Sequence, residues 1–286
     1  MIKKLIAVIG AGVIGSDVAL DLSIHGYSVL LKDISAERLE NALNMMRRSY
    51  RFTKMMKKTD SLPAFDEIMS RIETTTDYRG VDKATVVIEN ISELYEAKKK
   101  VYEELVQVCN SAVLYGVNTS CISITKIAAL TQRPENVIGM HFMNPVPLSK
   151  LVEVVRGFHS SDETVEQAKR FANTLQKICV IVNDFPGFVT NRVMMPFINE
   201  CIYLLQDQVA DVKDIDVIFK IGLGHRMGPL ATADLIGLDT VLNSLSVLYD
   251  SYNDPKYRPC PLLKKMVDAG LLGKKSGKGF FNYRNN

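Results

Sequence analysis

Cysteine is scarce in this chain, and its spacing suits neither a disulfide framework nor a zinc site. The 286 residues contain five, Cys109, Cys121, Cys179, Cys201 and Cys260, an odd number with no CxxC. No metal is therefore expected, and a reducing cytoplasmic setting is. Long apolar runs are also missing. None approaches the roughly 20 residues of a membrane span. The opening Met1-Ile-Lys-Lys and the apolar residues after it look superficially like an export signal. Glycines 10, 12 and 15 interrupt that run, and Asp17 and Asp21 follow it, so a buried first strand is expected instead. Charge of one sign is not in excess: 35 Lys and Arg stand against 32 Asp and Glu, a net +3. That balance speaks against wholesale nucleic-acid binding. Histidine is rare, and of the four only His141 sits in a framed motif, while His25, His159 and His225 read as surface or structural. No internal repeat or low-complexity segment stands out.

What is present suits a soluble globular chain long enough for two domains. Leu5 to Ile9 is a short continuous apolar run, as in a parallel strand covered on both faces. Gly10-Ala-Gly12-Val-Ile-Gly15 follows, then a helical pattern to about His25-Gly26, then a second strand, Ser28 to Leu31, closed by Asp33. Strand, GxGxxG, helix, strand and acid form the dinucleotide-binding fingerprint in its full context. Gly10 would make the tight turn, Gly12 let the pyrophosphate approach the backbone, and Gly15 let helix and strand pack closely. Asp33 would take the ribose hydroxyls of NAD and repel the 2′-phosphate of NADP, with Lys32 the neighbouring cation.

Residues 35 to 70 read as helical and carry a basic segment that includes Arg47, Arg48, Arg51, Lys54 and Lys58. A solvated helix face and a landing site for a phosphorylated substrate tail or an acidic carrier both fit it. Further strands are expected at Ala84 to Glu89 and Ala112 to Val117, with a helix from Leu94 to Cys109 between them. Asn118-Thr-Ser120 then falls at the carboxyl end of a strand, where ligands bind in open α/β sheets, although a helix-capping role competes. The segment from Gly139 to Glu153 sets two strand-like runs about an irregular Asn144-Pro145/Pro147 turn and can bring His141 beside Glu153. That pair suits general acid/base work, and it equally suits a buried structural contact. A helix from Ser161 and a last strand, Ile178 to Val182, follow. After Asp184-Phe-Pro-Gly187 the apolar spacing becomes helical, which places a boundary near 184: a Rossmann-type, mostly parallel α/β domain over 1–184 and an all-helical domain over 185–286.

Taken together, these motifs resemble the NAD-dependent L-3-hydroxyacyl-CoA dehydrogenases, close to the bacterial 3-hydroxybutyryl-CoA enzymes. The likeness runs through Val8-Ile-Gly-Ala-Gly-Val-Ile-Gly15, Asn118-Thr-Ser120, Ile138-Gly-Met-His-Phe-Met-Asn-Pro-Val-Pro147, Lys150-Leu-Val-Glu-Val154 and Pro186-Gly-Phe-Val-Thr-Asn-Arg192. It continues through Met227-Gly-Pro229, Gly237-Leu-Asp239 and Gly273-Lys-Lys-Ser-Gly-Lys-Gly-Phe280. The resemblance implies that His141 is the acid/base group, Glu153 orients it, Ser120 hydrogen-bonds the substrate oxygen and Asn191 helps place the substrate. It puts Asp33, Glu93, Lys98, Asn118 and Lys275 on NAD-contacting positions, and Arg51 and Lys58 near CoA contacts. It also implies a homodimer through the helical domain and an active site in the cleft between domains.

Several positions depart from the family's usual pattern: Val117 and Cys121 flank Asn118-Thr-Ser120, Met143 replaces a phenylalanine, and His225-Arg226 and Arg51 replace other types. None touches the His141–Glu153 pair. They leave room for a hydroxyacyl group on an acyl carrier protein, as in antibiotic extender-unit synthesis, in place of CoA. A non-catalytic NAD-binding structural protein is the alternative of a different class, and the complete set of Ser120, His141, Glu153 and Asn191 speaks against it.

Overall fold

The computed structural model describes residues 4–57, 62–110 and 113–284. Lys58 and Ala112 lie outside the described residues. The chain divides into two compact units, Met1–Phe185 and Pro186–Asn286.

In the first unit the elements run β1 (Leu5–Ile9), α1 (Val13–Ile24), β2 (Ser28–Lys32), α2 (Ala36–Lys57), α3 (Phe65–Met69) and β3 (Ile72–Thr75). They continue with β4 (Val86–Glu89), α4 (Tyr95–Val108), β5 (Leu114–Val117), α5 (Ile124–Ala128), β6 (Val137–Phe142), β7 (Leu151–Arg156), α6 (Asp162–Thr174) and β8 (Ile178–Asn183). The strands form one eight-stranded sheet in the order β3-β2-β1-β4-β5-β6-β7-β8. Pairing is parallel from β3 across to β6, antiparallel between β6 and β7, and parallel between β7 and β8. Strand order reverses where β1 lies between β2 and β4, so the ligand crevice opens beside the carboxyl ends of β1 and β4.

Two expectations need correction. β3 carries no apolar run, only Ile-Glu-Thr-Thr half-exposed at the sheet edge, and the spacing gave no sign of it. The helical stretch expected over 35 to 70 is divided, because α2 ends at Lys57 and α3 is a separate short helix.

Helix α1 is buried continuously from Gly15 to Ser23, including two carboxylates, Asp17 and Asp21. Acidic side chains are almost never fully buried unless paired. Asp21 meets the Lys177 ammonium at 3.0 Å, and Asp17 accepts from Val146 N at 3.3 Å. Burial pushes both carboxyls above the ordinary value of 3.8, against the pull of Lys177 and of their hydrogen bonds.

The second unit is helical: α7 (Thr190–Gln206), α8 (Val212–Val217), α9 (Pro229–Ile236), α10 (Leu238–Tyr252) and α11 (Pro261–Asp268). Its core gathers Ile198, Ile202, Leu230, Leu238, Leu245 and Leu248. Asp216 caps α9 by accepting from Leu230 N and Ala231 N at 2.8 and 3.0 Å. Asp234 likewise gathers Phe280 N, Phe281 N and the Tyr283 hydroxyl, tying the C-terminal turn to α9. Among the described residues, no single helix is long and apolar enough to cross a membrane.

The folded state holds a proton on Asp17 at pH values where the unfolded chain has released it. The stability this contributes is present below the ordinary carboxyl value and is lost as pH rises through the folded one. Asp17→Asn keeps an acceptor for Val146 N and removes the titration. Its melting temperature relative to the parent should therefore rise as pH climbs above the ordinary carboxyl value of about 4. A difference that stays flat or falls over that range in calorimetric scans contradicts this account of the buried carboxylates.

Candidate active site

Strand pairing sets the centre of the site. In the antiparallel β6–β7 pair, His141 lies directly opposite Glu153, so both side chains leave the same face of the sheet. His141 Nδ1 is 2.8 Å from Glu153 Oε2, and both residues are buried. An ionised carboxylate only accepts, so the pairing favours the proton on Nδ1 and leaves Nε2 as the acceptor of the neutral ring. Nε2 points at Ser120 Oγ, 3.2 Å away. The result is a relay from hydroxyl to imidazole to carboxylate, at the end of the sheet where β1, β4 and β5 also finish.

Ser120 sits on the loop after β5, and Glu93 holds that loop. One Glu93 oxygen accepts from the Thr119 hydroxyl and from Ser120 N and Cys121 N, the last two both at 2.9 Å. Asn118 fastens the same loop to β6: its Oδ1 accepts from Phe142 N at 3.2 Å, and its Nδ2 donates to Asn90 Oδ1 at 2.7 Å. Lys98 is fully buried, donating to both Glu89 oxygens at 2.7 and 2.8 Å and reaching Asn118 O at 3.3 Å. Burial pushes the Glu89 carboxyl up, and the Lys98 ammonium opposes it. Within this unit, then, Glu93, Lys98 and Asn118 brace the Ser120 loop.

The three fingerprint glycines meet three different requirements. Gly10 has φ +100°, and a Cβ there would come within 2.7 Å of Asn90 O. A Cβ on Gly15 would lie 1.9 Å from Gly10 O, so helix and turn pack backbone to backbone. A Cβ on Gly12 would meet nothing within 4 Å, which leaves the space a pyrophosphate needs. Helix α1 starts at Gly12 without a side-chain cap, so its first N–H groups and dipole face that space. At the end of β2, Asp33 Oδ2 accepts from Ala11 N and Oδ1 from Ile34 N, both at 2.7 Å. Lys32 does not offset it, for its ammonium is buried over the Tyr78 ring at 4.2 Å. These residues fit a dinucleotide whose ribose carries free hydroxyls.

The remaining expected residues fall on α2 and in the second unit. Arg51 is exposed on α2, in a basic face that is solvated along Arg47, Arg48 and Lys54. Asn191 is buried in the first turn of α7, its N–H donating to Gly187 O at 3.0 Å. Lys275 stands on a 3₁₀ turn, Lys274–Ser276, and pairs with Asp239 at 2.5 Å. Sequence reasoning missed Glu89 and Asn90. The available signal was an acid closing an otherwise apolar strand nine residues before a lysine on the next helix.

Two family models cover nearly the whole chain: the NAD binding domain of 3-hydroxyacyl-CoA dehydrogenase over residues 5–185 and the C-terminal domain of the same enzyme over 187–283. The chain belongs to the 3-hydroxyacyl-CoA dehydrogenase family. NAD is accordingly its cofactor. A Bacillus subtilis protein named probable 3-hydroxybutyryl-CoA dehydrogenase is 45% identical over 281 residues, 98% of this chain and 97% of that one. The 3-hydroxybutyryl-CoA dehydrogenase of Bradyrhizobium diazoefficiens is 43% identical over 284 residues, covering 99% and 96%. The crystal structure of (S)-3-hydroxybutyryl-CoA dehydrogenase from Ralstonia eutropha superimposes with a TM-score of 0.89 at 38% identity, covering 99% of this chain and all of the other.

For a dehydrogenase with this Asp33, cofactor choice should rest on one charge. Asp33→Asn retains an acceptor for Ala11 N but not the repulsion of a 2′-phosphate. The ratio of kcat/KM for NADPH to that for NADH should rise about tenfold or more, since each 1.4 kcal/mol of lost repulsion is one decade. An unchanged ratio would show that discrimination lies elsewhere.

Proposed function

We propose that this chain interconverts 3-hydroxybutyryl-CoA and acetoacetyl-CoA. The observation that carries the proposal is the continuous relay Ser120–His141–Glu153 at the sheet end that also holds the dinucleotide fingerprint. Held at Gly10, Gly12, Gly15 and Asp33, NAD⁺ would supply the acceptor for a hydride from C3 of the hydroxyacyl group. His141 Nε2 takes the proton of the 3-hydroxyl as the carbonyl forms, and returns it in the reducing direction. Glu153 faces the imidazolium at Nδ1 and stabilises its charge, so the ring need not turn to find a counter-ion. Ser120 Oγ lies within reach of the same nitrogen and can hydrogen-bond the substrate oxygen, fixing the line of proton transfer. Asn191 is proposed as a further substrate-binding residue. Arg51, exposed on basic α2, and Lys58 are proposed to attract the CoA phosphates.

The test follows NADH oxidation with acetoacetyl-CoA, beside His141→Gln. The variant should lose about 10²- to 10⁴-fold in kcat, the usual contribution of an acid/base group, while binding NADH normally. Turnover of hydroxyacyl groups on an acyl carrier protein, with CoA thioesters ignored, would move the substrate to a carrier-linked one. No turnover of either by the parent protein would leave a non-catalytic NAD-binding protein.

The helical unit is proposed to pair with a second copy. It exposes Val209, Ile218, Ile221, Leu223 and Leu235, with Ile221 at 80% and Val209 at 67%. Open aliphatic surface of this kind supports an association face on this unit. Sedimentation should give a dimer, and Ile221→Glu should shift it toward monomer; a monomeric parent protein contradicts this.

A further inference from the structure

The acid/base pair sits on a hairpin whose two strands are joined by residues 143–150. That connection carries the chain from His141 on β6 to Glu153 on β7, which the strand ladder sets opposite each other. Its backbone is held from below by buried charged side chains, Lys177 foremost. Lys177, buried at the junction of α6 and β8, donates to Val146 O at 2.7 Å and to Ser149 O at 2.8 Å. The same ammonium meets Asp21 of α1 at 3.0 Å, and Asp17, one helical turn earlier, accepts from Val146 N at 3.3 Å. The helix that begins at the pyrophosphate-binding Gly12 is thus joined through a buried charge cluster to the turn that follows His141 and Asn144.

Cohesion alone does not account for this arrangement. A buried ion pair of this kind contributes little net stability, and apolar residues of similar volume commonly match or exceed it. Directional bonds from one ammonium to two turn carbonyls and a helix carboxylate do what apolar packing cannot: they fix one geometry of turn against helix. The cluster lies beneath a surface depression of about 520 Å³, also lined by His25, Lys57 and Lys150, which is separate from His141.

We infer that Lys177, braced by Asp21 and Asp17, is a positioning residue that sets the catalytic hairpin relative to the cofactor-binding helix. The inference rests on the acid/base reading of His141. Lys177 touches neither the fingerprint glycines nor the relay, so its effect falls on the approach of the reacting atoms and not on cofactor affinity. Misplacement by about 1 Å can cost on the order of 10²-fold in rate.

The experiment uses the full-length protein and the double substitution Asp21→Leu/Lys177→Met, which removes both members of the Lys177–Asp21 ion pair together and leaves Asp17 with its bond from Val146 N. Rates are measured with NADH and its 4-deuterated form, per cofactor-binding site, beside Asp21→Asn and His141→Gln. The double variant should bind NADH as the parent does, lose about tenfold to 10²-fold in kcat, and show a larger deuterium effect on kcat as hydride transfer becomes the slow step. Asp21→Asn, which keeps Lys177 and an acceptor for it, should keep the parental isotope effect. A purely structural role would lower the melting temperature or the count of active sites while leaving kcat per site and the isotope effect alone. That result, with His141→Gln inactive, overturns the inference and leaves the acid/base reading standing. Retained turnover in His141→Gln instead sinks the acid/base reading, and the positioning role falls with it. If the double variant does not fold, Lys177→Gln provides the same comparison, with the same rise in isotope effect expected and an unchanged one overturning.

Discussion

The antiparallel pairing of β6 with β7 places His141 directly across from Glu153, and a pleated strand allows no small error in that relation. A slip of one residue would send one side chain to the opposite face and leave a buried carboxylate without its partner. The requirement reaches well beyond the two residues. β6 must be held in register with the parallel sheet through β5, and β7 must be held by β8, so that the antiparallel junction of β6 with β7, the only one among the described strands of the sheet, falls at the relay. The fold is otherwise a doubly wound α/β arrangement, and the reversal at β7 is what makes a cross-strand pair available there.

Around that junction, polar side chains do the work that loop backbones cannot do alone. Glu93 gathers the Ser120 loop, Asn118 ties it to Phe142, and the Glu89–Lys98 pair supports Asn118 from inside. Each group is buried or nearly so, where a polar atom without a partner costs about 1–3 kcal/mol. Such networks either close completely or destabilise the place where they sit. This one links β4, β5, α4 and β6, all of which end or begin at the cofactor crevice.

Much of this was legible in the sequence because it depends on local rules. The fingerprint glycines and Asp33 are spaced by backbone geometry, and three steric reasons recur in the folded chain at Gly10, Gly12 and Gly15. The His141–Glu153 pairing could be read from two apolar runs about a proline-bearing turn. The partners of Glu93 and Lys98 could not, since they come from strands and loops separated by as much as 28 residues. The charge cluster of Asp17, Asp21 and Lys177 was equally hidden. Residue 177 lies 156 positions from residue 21, and only the stacking of α1 beneath the hairpin turn brings them together. β3 escaped because an edge strand with half-exposed Thr and Glu carries no pattern distinct from a loop.

The carboxylates inside α1 also say something about how this protein could change over generations. Natural chains hover near a stability threshold, and substitutions that fill a core with apolar groups are readily found. Screening for heat resistance alone would favour variants in which Asp17 and Asp21 give way to hydrophobic residues. Selection for turnover would, on the positioning role inferred for Lys177 and its partners, hold them in place. The two regimes should therefore diverge first along one face of a single helix, far in sequence from the histidine whose setting is at stake.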